Sequence, residues 1–183
     1  MFYTKYELKK MNRTCRDKGP WATRTPKVLQ LFLRTSHLCK DFSILDYGAG
    51  KKAIWTKFLK KRGFNVTAHD VGENFTLGIH DPFACDRKYD LILMSNVVQV
   101  QPSFDRINWL FREINSLLKK EGEVIFNFCP IKSMKFSQSE AEIIAAASQY
   151  FCVSSSYIKG VWFGTKKGTH QGDCKLEQTF RTL

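Results

Sequence analysis

Six residues between positions 46 and 70 carry the clearest chemistry in this chain. Asp46-Tyr47-Gly48-Ala49-Gly50 sets a carboxylate two residues ahead of a pair of glycines, and Asp70 lies twenty residues beyond Gly50. Glycines let a backbone turn sharply and approach a bound molecule closely. Carboxylates accept hydrogen bonds and attract cations. The segment therefore reads as a cradle for a small molecule, and three kinds of ligand compete for it. A nucleoside triphosphate loop of the type G-x-x-x-x-G-K-[ST] needs glycine where Leu45 stands and Ser or Thr where Lys52 stands, so it fails twice. The dinucleotide fingerprint G-x-G-x-x-[GA] fits Gly48, Gly50 and Ala53, with Asp70 where a ribose-binding acid belongs. Against it, Asp46 would bring a carboxylate towards a pyrophosphate.

A phosphate-free, cationic cofactor suits Asp46 better. S-adenosylmethionine (SAM) offers an ammonium, a carboxylate, a sulfonium, a ribose diol and an adenine. Asp46 can attract the ammonium, and Gly48 and Gly50 admit the methionine portion. Asp70 has two acceptor oxygens to match a vicinal diol.

These residues need a scaffold that brings strand ends together. Thr25 and Pro26 open a helix with Val28, Leu31 and Phe32 on one face. Ser43 to Tyr47 reads as a short buried strand running into the glycines. A helix from about Lys52 to Arg62 stops at Gly63, and Phe64 to Val71 reads as the next strand. Tyr89 to Val98 is a continuous apolar run, as in a central parallel strand covered on both faces. Ser103 caps a helix bearing Ile107, Leu110, Phe111, Ile114, Leu117 and Leu118, which Gly122 ends. Glu123 to Cys129 is a further strand. Ser137 and Glu140 form a capping box, and residues 152–159 and 161–167 form a closing hairpin. The alternation predicts an α/β fold: a doubly wound, mostly parallel, Rossmann-like sheet of about seven strands with a C-terminal antiparallel hairpin. Its expected organisation is a basic helical extension over 1–40, a main domain over 41–167 and a polar tail over 168–183. Residues 1–24 should be largely irregular, with at most a short helix around Tyr3 to Met11. In such sheets the ligand lies outside the carboxyl ends of the strands.

The run D-Y-G-A-G, a strand ending His69-Asp70, Y-D-L-I-L-M-S-N-V-V and L-L-K-K-E-G-E-V-I-F resembles class I SAM-dependent methyltransferases over roughly residues 41–129. Asp81-Pro82, the segment S-N-V-V-Q-V-Q-P and the upstream R-T-P-K are similar, more narrowly, to bacterial methyltransferase-like proteins found beside DNA phosphorothioation genes. The resemblance implies that Asp46, Gly48 and Gly50 hold the methionine end and that Asp70 holds the ribose. It implies that Asp81 meets the adenine amine, with His80 and Pro82 flanking the ring. Ser95 and Asn96 should face the acceptor at the end of the fourth strand, with His80 a candidate base beside Asn96. Two departures stand out. Lys52 replaces the usual third glycine, and Ser95-Asn96-Val97-Val98 is neither the N-P-P-Y pattern of DNA amino methylation nor the Pro-Cys of cytosine-C5 enzymes. Cys129-Pro130 is a nucleophile position in some RNA cytosine-C5 enzymes, but a buried structural thiol is the simpler reading here.

Charge points to a partner. The chain carries +12, and ten Lys/Arg against Glu7 and Asp17 put +8 of it in residues 1–40. Arg16, Lys18, Trp21 and Arg24 can neutralise and stack on nucleic acid. The six cysteines (15, 39, 85, 129, 152, 174) form no C-x-x-C pair, so no metal site is expected and the cytoplasm is the expected compartment. No apolar run approaches the ~20 residues of a membrane span, and Met1–Lys10 does not read as a secretory leader. The leading expectation is a SAM-dependent methyltransferase acting on a nucleic-acid or nucleotide acceptor. Its rivals are a degenerate methyltransferase fold serving as a binding or regulatory module, and an NAD-dependent oxidoreductase.

Overall fold

The computed structural model describes residues 3–14, 25–35, 41–128 and 139–168. Strands β1 (Ser43–Tyr47), β2 (Asn65–His69), β3 (Tyr89–Met94), β4 (Leu118–Asn127), β5 (Phe151–Ser155) and β6 (Val161–Lys166) form one sheet in the order β2-β1-β3-β4-β6-β5. The first four strands in this order run parallel, and β6 and β5 add antiparallel edges. The helices are α1 (Lys5–Thr14), α2 (Lys27–Thr35), α3 (Ile54–Lys60), α4 (Phe104–Leu117) and α5 (Glu140–Ala147).

Strand alternation divides the core into two layers. Leu45, Tyr47, Ile92, Met94, Val124 and Phe126 face α4 and α5. Ile44, Val66, Leu91, Leu93 and Ile125 face α2 and α3. The central strands are buried on both sides, as parallel strands must be. Phe111 on α4 meets Phe126 edge-on at 5.3 Å and Phe151 at 6.2 Å, which joins helix, central strand and hairpin. Val28, Leu31 and Phe32 on α2 pack onto the opposite face.

Several boundaries differ from the sequence reading, each for a local reason. The sheet has six strands among the described residues rather than about seven. After β2 the chain forms 3₁₀ turns at Gly72–Asn74 and Ala84–Asp86. A single bond from the Asp81 amide to the Ala68 carbonyl, 3.0 Å, extends the sheet beyond β2. β3 stops at Met94 because Asn96 turns left-handed (φ 60°) and Val98–Val100 forms a 3₁₀ turn. Gly122 lies within β4 and does not end a helix; a Cβ there would sit 2.9 Å from the Tyr89 carbonyl. The capping box on α5 is Ser139 with Glu142, the second of two overlapping S-x-x-E pairs in S-Q-S-E-A-E. The N-terminal helix runs to Thr14.

Helix α1 is tied across the carboxyl ends of the strands. The Thr4 and Glu7 side chains cap its first turn reciprocally. Glu7 then accepts a forked pair of bonds from Arg106, from Nε at 2.7 Å and Nη2 at 3.0 Å. The Tyr3 hydroxyl donates to Gln101 Oε1 at 2.9 Å. The helix also packs on the turn Gly72–Asn74. Thus α1 links the loop after β2 to the loop after β3.

Two substitutions should separate core from cap. Phe111→Ala should cost about 3–5 kcal/mol, because it leaves a cavity at a three-way aromatic contact. Ser139→Ala should cost only about 1 kcal/mol, through two lost bonds at one helix end. Urea unfolding of both variants checks the ordering.

Candidate functional site

The chain leaves β1, crosses outward to β2, then returns to β3 on the other side of β1. The reversal opens a crevice at the carboxyl ends of β1 and β3. Gly48, Ala49 and Gly50 turn directly above it, with Gly48 at φ +79° and Gly50 at φ +74°. A Cβ at Gly48 would lie 2.6 Å from Val97 Cγ2, so the glycine turn and the S-N-V-V loop touch. A Cβ at Gly50 would meet no atom within 4 Å, so that side of the turn faces open space.

The amides of this turn are already committed. Gly48 and Ala49 both donate to the His69 carbonyl, at 2.9 and 3.0 Å. Gly50 donates to Asp70 Oδ2 at 2.7 Å, and Ala53 donates to the Gly50 carbonyl at 2.9 Å. A phosphate-binding turn presents its N–H groups to the ligand. These four are spent inside the protein, which disfavours a pyrophosphate.

The carboxylates reinforce this conclusion. Asp46 projects from β1 towards α3 and accepts a 2.6 Å bond from the Thr56 hydroxyl. Burial pushes its carboxyl up from 3.8 to about 6; the charge of Asp70 adds to the rise, and the Thr56 bond opposes it. Asp70 accepts from the Gly50 and Val71 amides, at 2.7 and 2.8 Å. Burial still raises its carboxyl above the ordinary value. Two buried acids whose charged forms are disfavoured gain most from a cationic neighbour.

His80 is buried, and both ring nitrogens are in use. Nδ1 accepts from the Thr76 amide at 2.9 Å, and Nε2 lies 3.0 Å from the Gly50 carbonyl. A carbonyl only accepts, so Nε2 carries the proton and the ring is neutral in this arrangement. His80 braces the glycine turn, and both ring nitrogens face backbone partners in this arrangement. Pro82 follows at the sheet edge. Asp81 accepts from the Phe83 amide at 2.8 Å and pairs with Arg87, so both its oxygens already have protein partners. The Lys52 side chain is exposed, and the left-handed non-glycine residue in this turn is Ala53 (φ 42°).

Beyond β3, Ser95 is half-buried and Asn96 exposed. The Asn96 amide donates to Asn127 Oδ1 at 2.7 Å. Asn96 Oδ1 accepts from Asn127 Nδ2 and from Gln99 Nε2, both at 2.8 Å. Gln99 Oε1 is buried with no protein hydrogen-bond partner. Three carboxamides thus meet at the ends of β3 and β4. Asn127 and Gln99 escaped the sequence reading because each sits inside an apolar run that looked purely structural. Thr56, ten positions after Asp46 and in the first turn of α3, gave no signal either.

A second group lies below α4's face of the sheet. The Tyr47 hydroxyl donates to Glu113 at 2.8 Å, and Cys85 Sγ is 3.6 Å from His69 Nε2. Burial holds His69 down near 4 and Cys85 up near 11, so the pair is a neutral thiol and a neutral imidazole. His69 packs on the Tyr47 ring at 5.0 Å. Among the described residues no group of three metal-ligating side chains forms, and no helix is long and apolar enough to cross a membrane. Arg16, Lys18, Trp21, Arg24 and Cys129 lie outside the described residues.

Known proteins share this architecture. A TehB-like SAM-dependent methyltransferase from Corynebacterium glutamicum is 16% identical with a TM-score of 0.61, covering 87% of this chain and 98% of that one. The 1,6-didemethyltoxoflavin-N1-methyltransferase of Burkholderia thailandensis, solved with 1,6-didemethyltoxoflavin and S-adenosylhomocysteine bound, is 17% identical with a TM-score of 0.64 over 91% and 92%. The N-methyltransferase NodS of Bradyrhizobium japonicum WM9 with S-adenosylhomocysteine is 12% identical with a TM-score of 0.56 over 88% and 98%. At these identities the likeness establishes the fold. No curated protein sequence matches the chain. The model of a methyltransferase-domain family matches residues 11–132, well over half the chain. A crevice with bonded turn amides and two buried acids fits a cationic, diol-bearing ligand. The chain belongs to the methyltransferase-domain family.

Proposed function

We propose that this chain transfers the methyl group of S-adenosylmethionine directly to a nucleic-acid or nucleotide acceptor. The observation that carries the cofactor side is the pairing of Asp46 and Asp70 around a glycine turn whose amides are already bonded. Bound SAM supplies an electrophilic methyl on a sulfonium. Asp46 attracts the ammonium from its Thr56-anchored position. Gly48 and Gly50 leave room for the methionine chain. Asp70 keeps lone pairs for the ribose hydroxyls while its other contacts hold the turn. Asp81 takes the adenine amine as an added donor beside Arg87. His80 is a positioning residue, fixing Gly50 through its carbonyl.

Ser95 and Asn96 face the acceptor. Direct displacement needs the acceptor atom ~3 Å from the methyl, in line and dry. The Asn96–Asn127–Gln99 carboxamides offer both donors and acceptors, which suits the edge of a base. The overall +12 charge, and the +8 of residues 1–40 with Arg16, Lys18, Trp21 and Arg24, favours a polyanionic partner. DNA as that partner would agree with the likeness to proteins encoded beside phosphorothioation genes. NodS and the didemethyltoxoflavin enzyme are N-methyltransferases by name, which favours nitrogen as the accepting atom.

The acceptor reading is tested by labelled-methyl transfer from SAM to single- and double-stranded DNA, RNA and nucleotides. Label should enter at least one of these, with a rate that falls as salt rises. Reversing Arg16, Lys18 and Arg24 to Glu should reduce it at least tenfold. Asn96→Gly keeps the left-handed turn and removes the carboxamide. It should lower kcat at least tenfold, with S-adenosylhomocysteine affinity within threefold of wild type. Cofactor binding with no transfer to any acceptor would instead favour a binding module.

The pH dependence follows from Asp46. Its carboxyl is protonated below about 6 and charged above. An ammonium prefers the charged form, so affinity rises with pH. The affinity for S-adenosylhomocysteine should increase about tenfold between pH 5 and pH 7.5, since roughly a tenth of the group is ionised one unit below its pKa. Asp46→Asn should flatten this profile in calorimetric titrations.

A further inference from the structure

The opposite edge of the sheet, at the amino ends of the parallel strands, carries a feature that the methyl-transfer site does not use. Lys88 precedes β3, Lys119 and Lys120 open β4, Lys166 closes β6 and Lys167 follows it. The antiparallel pairing of β4 with β6 brings the last two beside the first three. Together they line a cleft of about 350 Å³ floored by Leu118.

The protein compensates this charge only in part. Lys119 pairs with Asp90 at 2.8 Å, and Asp90 is also held by the Ser43 amide and hydroxyl. The Lys88 ammonium donates to the Ser116 carbonyl, and Lys166 donates to the Leu118 carbonyl at 3.1 Å. Ser116 lies in the last turn of α4, where a helix carries roughly half a negative charge, and Leu118 follows that helix as the first residue of β4. Lys120 and Lys167 are exposed and make no ion pair with a described residue. Burial and the nearby Lys88 lower the proton affinity of Lys166, as expected where cations crowd. Five cations therefore line one cleft, and among the described residues Asp90 is the carboxylate that pairs with one of them. A monovalent anion would leave most of this imbalance in place.

We propose that this lysine cleft binds an anion bearing two or more phosphate groups. The chemistry is that of clustered point charges, which accept phosphates at several spacings and lack the fork geometry that reads a single planar group. A free polyphosphate and a nucleic-acid strand both present such groups. The site lies across the sheet from the glycine turn, so its occupancy is independent of the cofactor reading.

The test is calorimetric titration of the full chain with inorganic tripolyphosphate and, separately, with a short single-stranded oligonucleotide at low salt. Lys120→Glu/Lys167→Glu is compared with Lys60→Glu/Lys61→Glu, an equal charge change at the end of α3. Circular dichroism serves as the check on folding in each variant. Wild type should bind, the cleft variant should weaken at least tenfold, and the α3 variant should stay within twofold. Tripolyphosphate binding with this pattern identifies a free polyphosphate as sufficient; the pattern with the oligonucleotide alone identifies the strand. No binding of either probe to wild type, or equal weakening in both variants, overturns the proposal.

Discussion

The bond from the Gly50 amide to the Asp70 carboxylate is the constraint around which the cofactor end is built. It joins the turn after β1 to the end of β2 at 2.7 Å, and it fixes both a backbone turn and a buried acid at the strand ends. His80 holds the same glycine from the other side through its carbonyl. The His69 carbonyl takes the two preceding amides. Asp70 is therefore a structural and an electrostatic element at once: its removal frees Gly50 and also deletes a buried acid beside the glycine turn.

Electrostatics gives this geometry its direction. Among the described residues neither Asp46 nor Asp70 forms an ion pair; burial dominates both and outweighs the opposing effects of His80 and of the neutral hydrogen-bond donors. A ligand that brings positive charge lowers the energy of the site, and a pyrophosphate raises it. The same carboxylate pair would be a poor feature in a dinucleotide fold, where the turn amides and helix end serve the phosphates. The choice between two glycine-rich cofactor turns thus rests on where the N–H groups point and on the sign of the nearby charge.

Much of the fold was legible because its elements carry period and punctuation. β1, α3, β2, α4 and the closing hairpin lie within a few residues of where apolar spacing and capping residues place them. Gly63 at φ +84° follows α3 as a helix-ending glycine should. Less legible were features set by tertiary context. The apolar run Tyr89 to Val98 hides the turn at Asn96, because Asn adopts the left-handed region without a glycine to announce it. Among the described residues the sheet stops at six strands because residues 72–88 form turns, with the Asp81 amide reaching the sheet. At the site, Asp46, Gly48, Gly50 and Asp70 were visible as a spaced set. His80 was visible too, but its role was not: a histidine beside a ligand turn reads alike as base or brace until both ring nitrogens are traced. Asn127 and Gln99 were invisible, since their carboxamides acquire meaning only once β3 and β4 lie side by side.

The central claim is that Asp70, held by the glycine turn, makes the cofactor site. Calorimetric titration of S-adenosylmethionine and S-adenosylhomocysteine into wild type and Asp70→Ala tests it most directly. The account predicts micromolar binding to wild type and a loss of at least tenfold in a variant that remains folded by circular dichroism. Equal affinity in the two proteins, or no binding to folded wild type, would contradict it.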